Sequence, residues 1–193
     1  ELAVKQEGGI GTPVYLEIRG LPSSFSGVSL NDVPLNDAST PGNTIQIDGF
    51  LLDNSEEIEL IKGPYDLKNP NPSPSGLLRL KEKYIPFGTH GHFNQSYGSH
   101  QFAHHNAFLS HGSEKVDVSF GGTRIFDEGY ESLRNQFGAS QKRNYKNNTA
   151  RFQAKLRPSE KISFDLFKFI QNDRQFIDNR YDFHDFARKK ISI

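Results

Sequence analysis

The stretch Glu57-Ile58-Glu59-Leu60-Ile61-Lys62-Gly63-Pro64 decides how the rest of the chain is read. Ile58, Leu60 and, after a break in the alternation, Ile61 share the run with Glu57, Glu59 and Lys62. Gly63-Pro64 then ends it, because proline has no N–H with which to continue a β-ladder. The pattern alone predicts a short strand that closes in a turn.

The flanks on the N-terminal side are of the same kind. Gly8 to Gly11 reads as a turn, and Val14, Leu16 and Ile18 alternate with Tyr15, Glu17 and Arg19 as a half-buried strand. Gly20 and Pro22 end that strand, Ser23 to Gly27 form a loop, and Val28 with Leu30 makes another strand running into Asn31-Asp32. Asn36 to Asn43 is an exposed loop by composition. Asp53 or Ser55 is placed to cap a short helical turn before the opening strand. The proline-rich Asn69 to Ser75 excludes helix and central strand, and Gly76 to Leu80 returns to β character.

Composition bounds the class. The 193 residues are 34% apolar, with 16 Phe and 7 Tyr, an aromatic content that argues against simple disorder. Lys and Arg number 23, as do Asp and Glu, so no global charge calls for nucleic acid. Cysteine is absent, which excludes disulfides and thiol chemistry. Methionine is absent as well and no signal segment opens the chain, the expectation for a processed form or a fragment. No run of about 18 apolar residues is present, so no transmembrane helix is expected. Membrane-spanning β-strands, about 10 residues long and alternating, hardly register on such a scan.

From Tyr84 the texture changes. Ile85, Phe87, Thr89, Gly91, Phe93, Gln95 and Tyr97 fall on one face of a long strand and the intervening residues on the other. A turn is expected near Gly98-Ser99, a strand over 100–111, a tight turn at His111 to Glu114, and alternation again from Val116 to Phe120. Asp127 to Asn148 reads as a long polar loop. Ala150 to Leu156 and Ile162 to Leu166 alternate about a tight turn at Pro158 to Lys161, and the chain from Ile177 onward is polar and ambiguous. Short turns at one end and a long loop at the other favour an outer-membrane barrel, although a soluble sheet alternates in the same way.

Four pieces of the first eighty residues bear on that choice. They are Ile18-Arg19-Gly20, Asn31-Asp32-Val33-Pro34-Leu35-Asn36-Asp37, Ile58-Glu59-Leu60-Ile61-Lys62-Gly63-Pro64 and Ser75-Gly76-Leu77-Leu78-Arg79-Leu80, in that order. This succession resembles the plug domain of TonB-dependent outer-membrane receptors, and its order looks most like the cobalamin-receptor branch. Asn31-Asp32 stands where the family usually has Asp-Gly, Lys62 where it usually has Arg, and the family's Tyr-Gly step after Gly-Pro is replaced by the proline-rich segment.

The resemblance implies a mainly β chain: the later part of a mixed α/β plug over residues 1–82, then the first antiparallel transmembrane strands of a β-barrel over 83–193. Such a barrel has about 22 strands, so the barrel here is incomplete. It also implies import of a scarce nutrient (cobalamin, a siderophore or a metal complex) across a bacterial outer membrane, driven by a TonB-type partner acting through an N-terminal segment outside this sequence. Arg19 and Lys62 are then the cations that fasten plug to barrel glutamates. Ser23, Ser24, Phe25, Ser26, Asn36, Asp37, Ser39 and Asn43 are the plug-loop residues placed to meet ligand. Neither a cofactor nor an enzymatic activity is expected, and nucleic acid is not a partner. The other class left open is a soluble or surface-exposed all-β binding module, adhesin-like, with its aromatics in a sandwich core.

Six of the seven histidines lie between His90 and His111. His90 and His92 share a strand face, as do His100 and His104, while His105 and His111 share the opposite one. Imidazole ligates zinc, copper or nickel, so His90, His92, His100 and His104 are candidate metal ligands. The other reading makes them polar residues lining a wet barrel lumen. Enzyme signatures are missing: there is no Gly-x-Ser-x-Gly, no His-Glu-x-x-His and no P-loop.

Overall fold

The computed structural model describes residues 2–6, 9–11, 14–35, 55–63, 73–82, 84–129, 131–134, 140–142, 144–175, 177–178, 183–184 and 188–192. The chain divides into two compact units, Glu1–Tyr84 and Ile85–Ile193.

The first unit holds a hairpin and a small mixed sheet. Strands β1 (Leu2–Gln6) and β2 (Val14–Ile18) pair antiparallel from Leu2 opposite Ile18 to Gln6 opposite Val14. The sequence pattern located β2 and its inward residues, Leu16 and Ile18, both buried. It did not show β1, every residue of which is exposed, so that no burial imprints a period on Leu2 to Gln6.

The sheet contains β3 (Ser26–Leu30), β4 (Val33–Pro34), β5 (Ser55–Lys62) and β6 (Gly76–Glu82) in the order β4-β3-β6-β5. β6 runs parallel to β3 and antiparallel to β5. Val28, Leu30, Leu77 and Leu80 are buried along its two central strands. β5 is an edge, which explains the mixed character of the opening stretch: Ile58 is 53% exposed. What holds this edge includes a ladder of charges. Lys81 Nζ lies 2.8 Å from Glu57, and Arg79 lies 3.0 Å from both Glu59 and Asp32. The hydrogen bond that Lys81 donates to Glu57 holds its ammonium above the ordinary pKa.

Ser55 opens β5 and does not cap a helical turn; Asp53 lies outside the described residues. The helical component expected of a mixed α/β plug is limited, among the described residues, to a single 3-10 turn at Ser23–Phe25.

The second unit is built on a six-stranded antiparallel sheet in the order β16-β13-β12-β9-β8-β7. Its strands are β7 (Gly88–Tyr97), β8 (Ala103–Gly112), β9 (Val116–Asp127), β12 (Tyr145–Ser159), β13 (Ile162–Gln175) and β16 (Arg188–Ser192). At one end the connections are short, residues 113–115 and 160–161. The other end carries the turn 98–102 and two long segments, 128–144 and 176–187. The segment expected to be loop throughout, Asp127 to Asn148, contains a hairpin of β10 (Glu131–Arg134) and β11 (Ser140–Lys142), and β12 already begins at Tyr145. The ambiguous tail supplies a short pair, β14 (Ile177–Asp178) with β15 (Phe183–His184), and the sixth strand of the sheet, β16.

The two short turns are tied together by one ion pair. The Arg157 guanidinium grips both carboxylate oxygens of Asp117 and donates to Ser113 O at 3.1 Å, and Ser113 N–H donates to Asp117 Oδ1 at 3.3 Å. Asp117 is buried, so truncating it takes the charged acceptor from the Arg157 guanidinium and one of two acceptors from the Ser113 N–H. Asp117→Ala is expected to cost about 1–3 kcal/mol in a urea unfolding series, whereas Glu160→Ala on the neighbouring exposed turn stays within about 0.5 kcal/mol. Equal midpoints for the two variants would remove the clamp's role.

Candidate functional site

Each candidate cation of the first unit sits where backbone geometry fixes it. Ile18 and Leu21 bridge across Arg19-Gly20, with Leu21 N–H donating to Ile18 O at 3.2 Å. Arg19 has φ 59° and Gly20 φ 73°, the left-handed pair of a type I′ turn, so Gly20 is the residue that makes the turn inexpensive. The exposed Arg19 side chain is thereby presented at the tip of a tight turn. Lys62 is the exposed last residue of β5 and pairs with Gly76.

Gly76 joins these two positions. A Cβ built on it would lie 2.4 Å from Ile61 O and 3.2 Å from Ile18 Cγ2. The residues immediately before Lys62 and Arg19 therefore both lie against the same glycine. Among the described residues neither has a side-chain partner.

The loop residues divide. Ser23 is half-buried, and Ser24 and Phe25 are exposed on the 3-10 turn. Ser26 belongs to β3, is buried, and lies 3.0 Å from Ser75 Oγ, which in turn donates to Phe25 O at 2.8 Å. Ser26 is thus a buried residue that braces the turn. Asn36, Asp37, Ser39 and Asn43 lie outside the described residues.

In the second unit the register sorts side chains onto two unlike faces. One carries Asn106, Ser110, Asp117, Ser119, Thr123, Asn147, Thr149, Arg151, Gln171 and Asp173, all buried. The other carries Phe93, Leu109, Phe120, Leu156, Phe164, Leu166 and Ile170, all exposed. A soluble sheet puts the apolar face inside; this one inverts the rule. Part of the buried face is tied by a network: His92 to Asn106 at 3.0 Å, Asn106 to Thr123 at 2.8 Å, Thr149 to Asn147 at 2.9 Å and Asn147 to Tyr145 at 2.9 Å, with Arg151 over the Phe169 ring. Tyr145 and Asn147 were missed by the sequence pattern, because residues 145–149 are polar on both faces and show no hydropathy period.

The four candidate metal-binding histidines do not converge. His92 pairs with Phe108 and His104 with Ser96, so the two stand four residues apart along the sheet, about 13 Å at 3.3 Å per residue. His90 is further still, and His100 sits in the 98–102 turn with φ 57°. His90 Nε2 donates to Phe87 O at 2.9 Å and His92 Nε2 to Asn106 Oδ1, which takes one nitrogen of each ring out of use as a ligand. Among the described residues no group of three or more His, Asp or Glu is close enough to hold a metal ion. By register His90 and His92 are polar members of the network face, and His105 and His111 lie on the apolar face.

A charge-bearing plug-like unit followed by a sheet that is polar within and apolar without is the arrangement of a gated outer-membrane β-barrel. Residues 2–77 match the family model described as TonB-dependent Receptor Plug Domain, so the chain carries the plug domain of the TonB-dependent receptors. Solved structures agree in fold. The copper transporter OprC is matched with a TM-score of 0.70 at 17% identity, over 90% of this chain and 26% of that one. The FrpB iron transporter from Neisseria meningitidis gives 0.70 at 14%, over 91% and 28%. The pyoverdine receptor FpvA from Pseudomonas aeruginosa PAO1, bound to pyoverdine, gives 0.68 at 12%, over 91% and 24%. The chain thus spans about a quarter of the length of these proteins. A search among curated protein sequences finds no match.

Proposed function

We propose that this chain is the plug (residues 1–82) and early barrel (83–193) of a receptor that imports a scarce nutrient across a bacterial outer membrane. The observation that carries the reading is the inverted sheet of the second unit, apolar where it is exposed and polar where it is buried, behind a plug domain. The same exposed apolar face weighs against a soluble adhesin-like module, which would need to bury it. Cobalamin, a siderophore or a metal complex fits the class, and energy would come from a TonB-type protein pulling on the plug. Ser24 and Phe25, exposed beside the cations, are the described residues placed to meet a ligand. No bond of the ligand is made or broken, so the protein acts as a transporter.

Arg19 and Lys62 would fasten the plug to carboxylates of the barrel wall. Arg19→Ala with Lys62→Ala is expected to loosen the plug by about 1.5–3 kcal/mol per cation. In the whole receptor reconstituted into planar bilayers, the double variant should conduct at a lower urea concentration than the unsubstituted protein, and Lys62→Arg should not. Identical conductance thresholds for all three would remove the anchoring role.

A further inference from the structure

The chain reaches β7 through Ile85-Pro86-Phe87, at the short-turn end of the second unit. These three residues do not run straight into the strand. Gly88 has φ 93°, and the bend there lays Ile85 and Pro86 across Gly112, the last residue of β8. A Cβ built on Gly112 would overlap Pro86 O and lie 3.0 Å from Pro86 C and 3.3 Å from Ile85 Cγ2. Gly112 is also bridged twice, antiparallel by Gly88 and parallel by Phe87. Ile85 is buried, while Phe87 is exposed. The His90 ring reaches back to donate from Nε2 to Phe87 O at 2.9 Å.

The residue beneath this strap is held from its other side. Gly112 pairs with Asp117 on β9, whose carboxylate takes the Arg157 guanidinium and the Ser113 N–H. Strap and clamp thus share one corner of the sheet. Pro86 has no N–H with which to join a ladder. The strap is therefore held by the Phe87 bridge, close packing on Gly112, burial of Ile85 and the His90 bond.

A strand loaded at one end gives up its ladder pairs from that end, and the first pair of β7 is Gly88 with Gly112. Along the chain, a pull on the first unit reaches β7 through Ile85–Phe87. Resting on the receptor reading above, in which a partner pulls on the plug, we infer that this strap is a clasp. It takes the load ahead of the Gly88–Gly112 pair and keeps β7 on β8 while the plug is displaced. Displacement then ends at Tyr84, and β7 stays in the sheet.

The test uses the whole receptor held in nanodiscs and pulled at constant load through a handle on Val4→Cys, an exposed position of β1 in a chain that has no cysteine of its own. In the unsubstituted protein extension should pause once the chain up to Tyr84 has been drawn out. A further step of about 45 Å, the extended length of residues 85–97, marks the loss of β7. Gly112→Ala should bring on that step roughly thirtyfold sooner. His90→Phe keeps a ring and loses the bond; it should shorten the pause roughly fivefold, and it serves if Gly112→Ala does not fold as judged by heat-dependent gel mobility. Gly122→Ala on β9, where an added Cβ meets only Thr149 O at 3.9 Å, should leave the pause unchanged. Equal pauses in His90→Phe and the unsubstituted protein overturn the clasp and leave the plug-and-barrel reading standing. Equal shortening by Gly122→Ala and Gly112→Ala does the same. Absence of any plug extension ahead of the step that removes β7 overturns the receptor reading and the clasp with it.

Discussion

Phe120→Arg is expected to cost about 2–4 kcal/mol of folding stability in a bilayer and to lower the yield of inserted protein sharply. Phe120 stands 56% exposed near the middle of the apolar band, against Leu109 on one neighbouring strand and Phe152 on the other, with its ring 4.9 Å from that of Phe152. In water an exposed Phe→Arg change on a sheet surface is close to neutral or improves solubility. In lipid it places a guanidinium where no water can solvate it. The companion change is Asn94→Arg, which lies on the opposite face of β7, paired with Asn106 and exposed. It should stay within about 0.5 kcal/mol. Refolding into bilayers of increasing urea content reads both. If Phe120→Arg refolds as well as Asn94→Arg, the apolar face does not meet lipid and the membrane reading falls.

Gly76→Ala is expected to destabilise the plug unit by about 2–4 kcal/mol, from strained backbone and steric overlap together. Gly76 has φ 144°, a conformation L residues rarely adopt, and an added Cβ would sit 2.4 Å from Ile61 O, a backbone atom that cannot swing aside. Relief would require β5 to move from β6, which breaks the pairing that positions Lys62. Amide exchange in β3 and β6 of the folded receptor should accelerate roughly thirtyfold or more for a loss of about 2 kcal/mol. Gly63→Ala is the comparison: an added Cβ there meets nothing within 4 Å, although φ 104° still carries a conformational cost. Matching exchange rates for the two variants would show that the close approach to Ile61 is not limiting.

The plug was legible because its signals are local. Ile18-Arg19-Gly20 encodes a type I′ turn through Gly20, and Asn31-Asp32 does the same with φ 48° and 64°, residues that tolerate the left-handed region when glycine is absent. Gly63-Pro64 stops an edge strand. Each is a few adjacent residues whose backbone preferences survive without context, and in sequence they point to one domain family. The loop reading at Ser26 gave way to strand for the opposite reason. A serine in a polar run looks like loop, and only the chain returning at Ser75, 49 residues later, buries it.

In the second unit the alternation of β7, β8, β9, β12 and β13 was written in the middle of each strand, where one face meets apolar surroundings and the other polar ones. It vanished between residues 127 and 148, because near the long-segment end both faces are polar: Tyr145, Asn147 and Thr149 inside, Lys146 and Asn148 outside. The sequence by itself determined the class of both units, the turn glycines and the two exposed cations, since those rest on backbone propensity and period. Only the tertiary structure decided which face is buried and that the histidines stand apart. Those facts depend on strand register, and register is set by long-range pairing that no short window of residues contains.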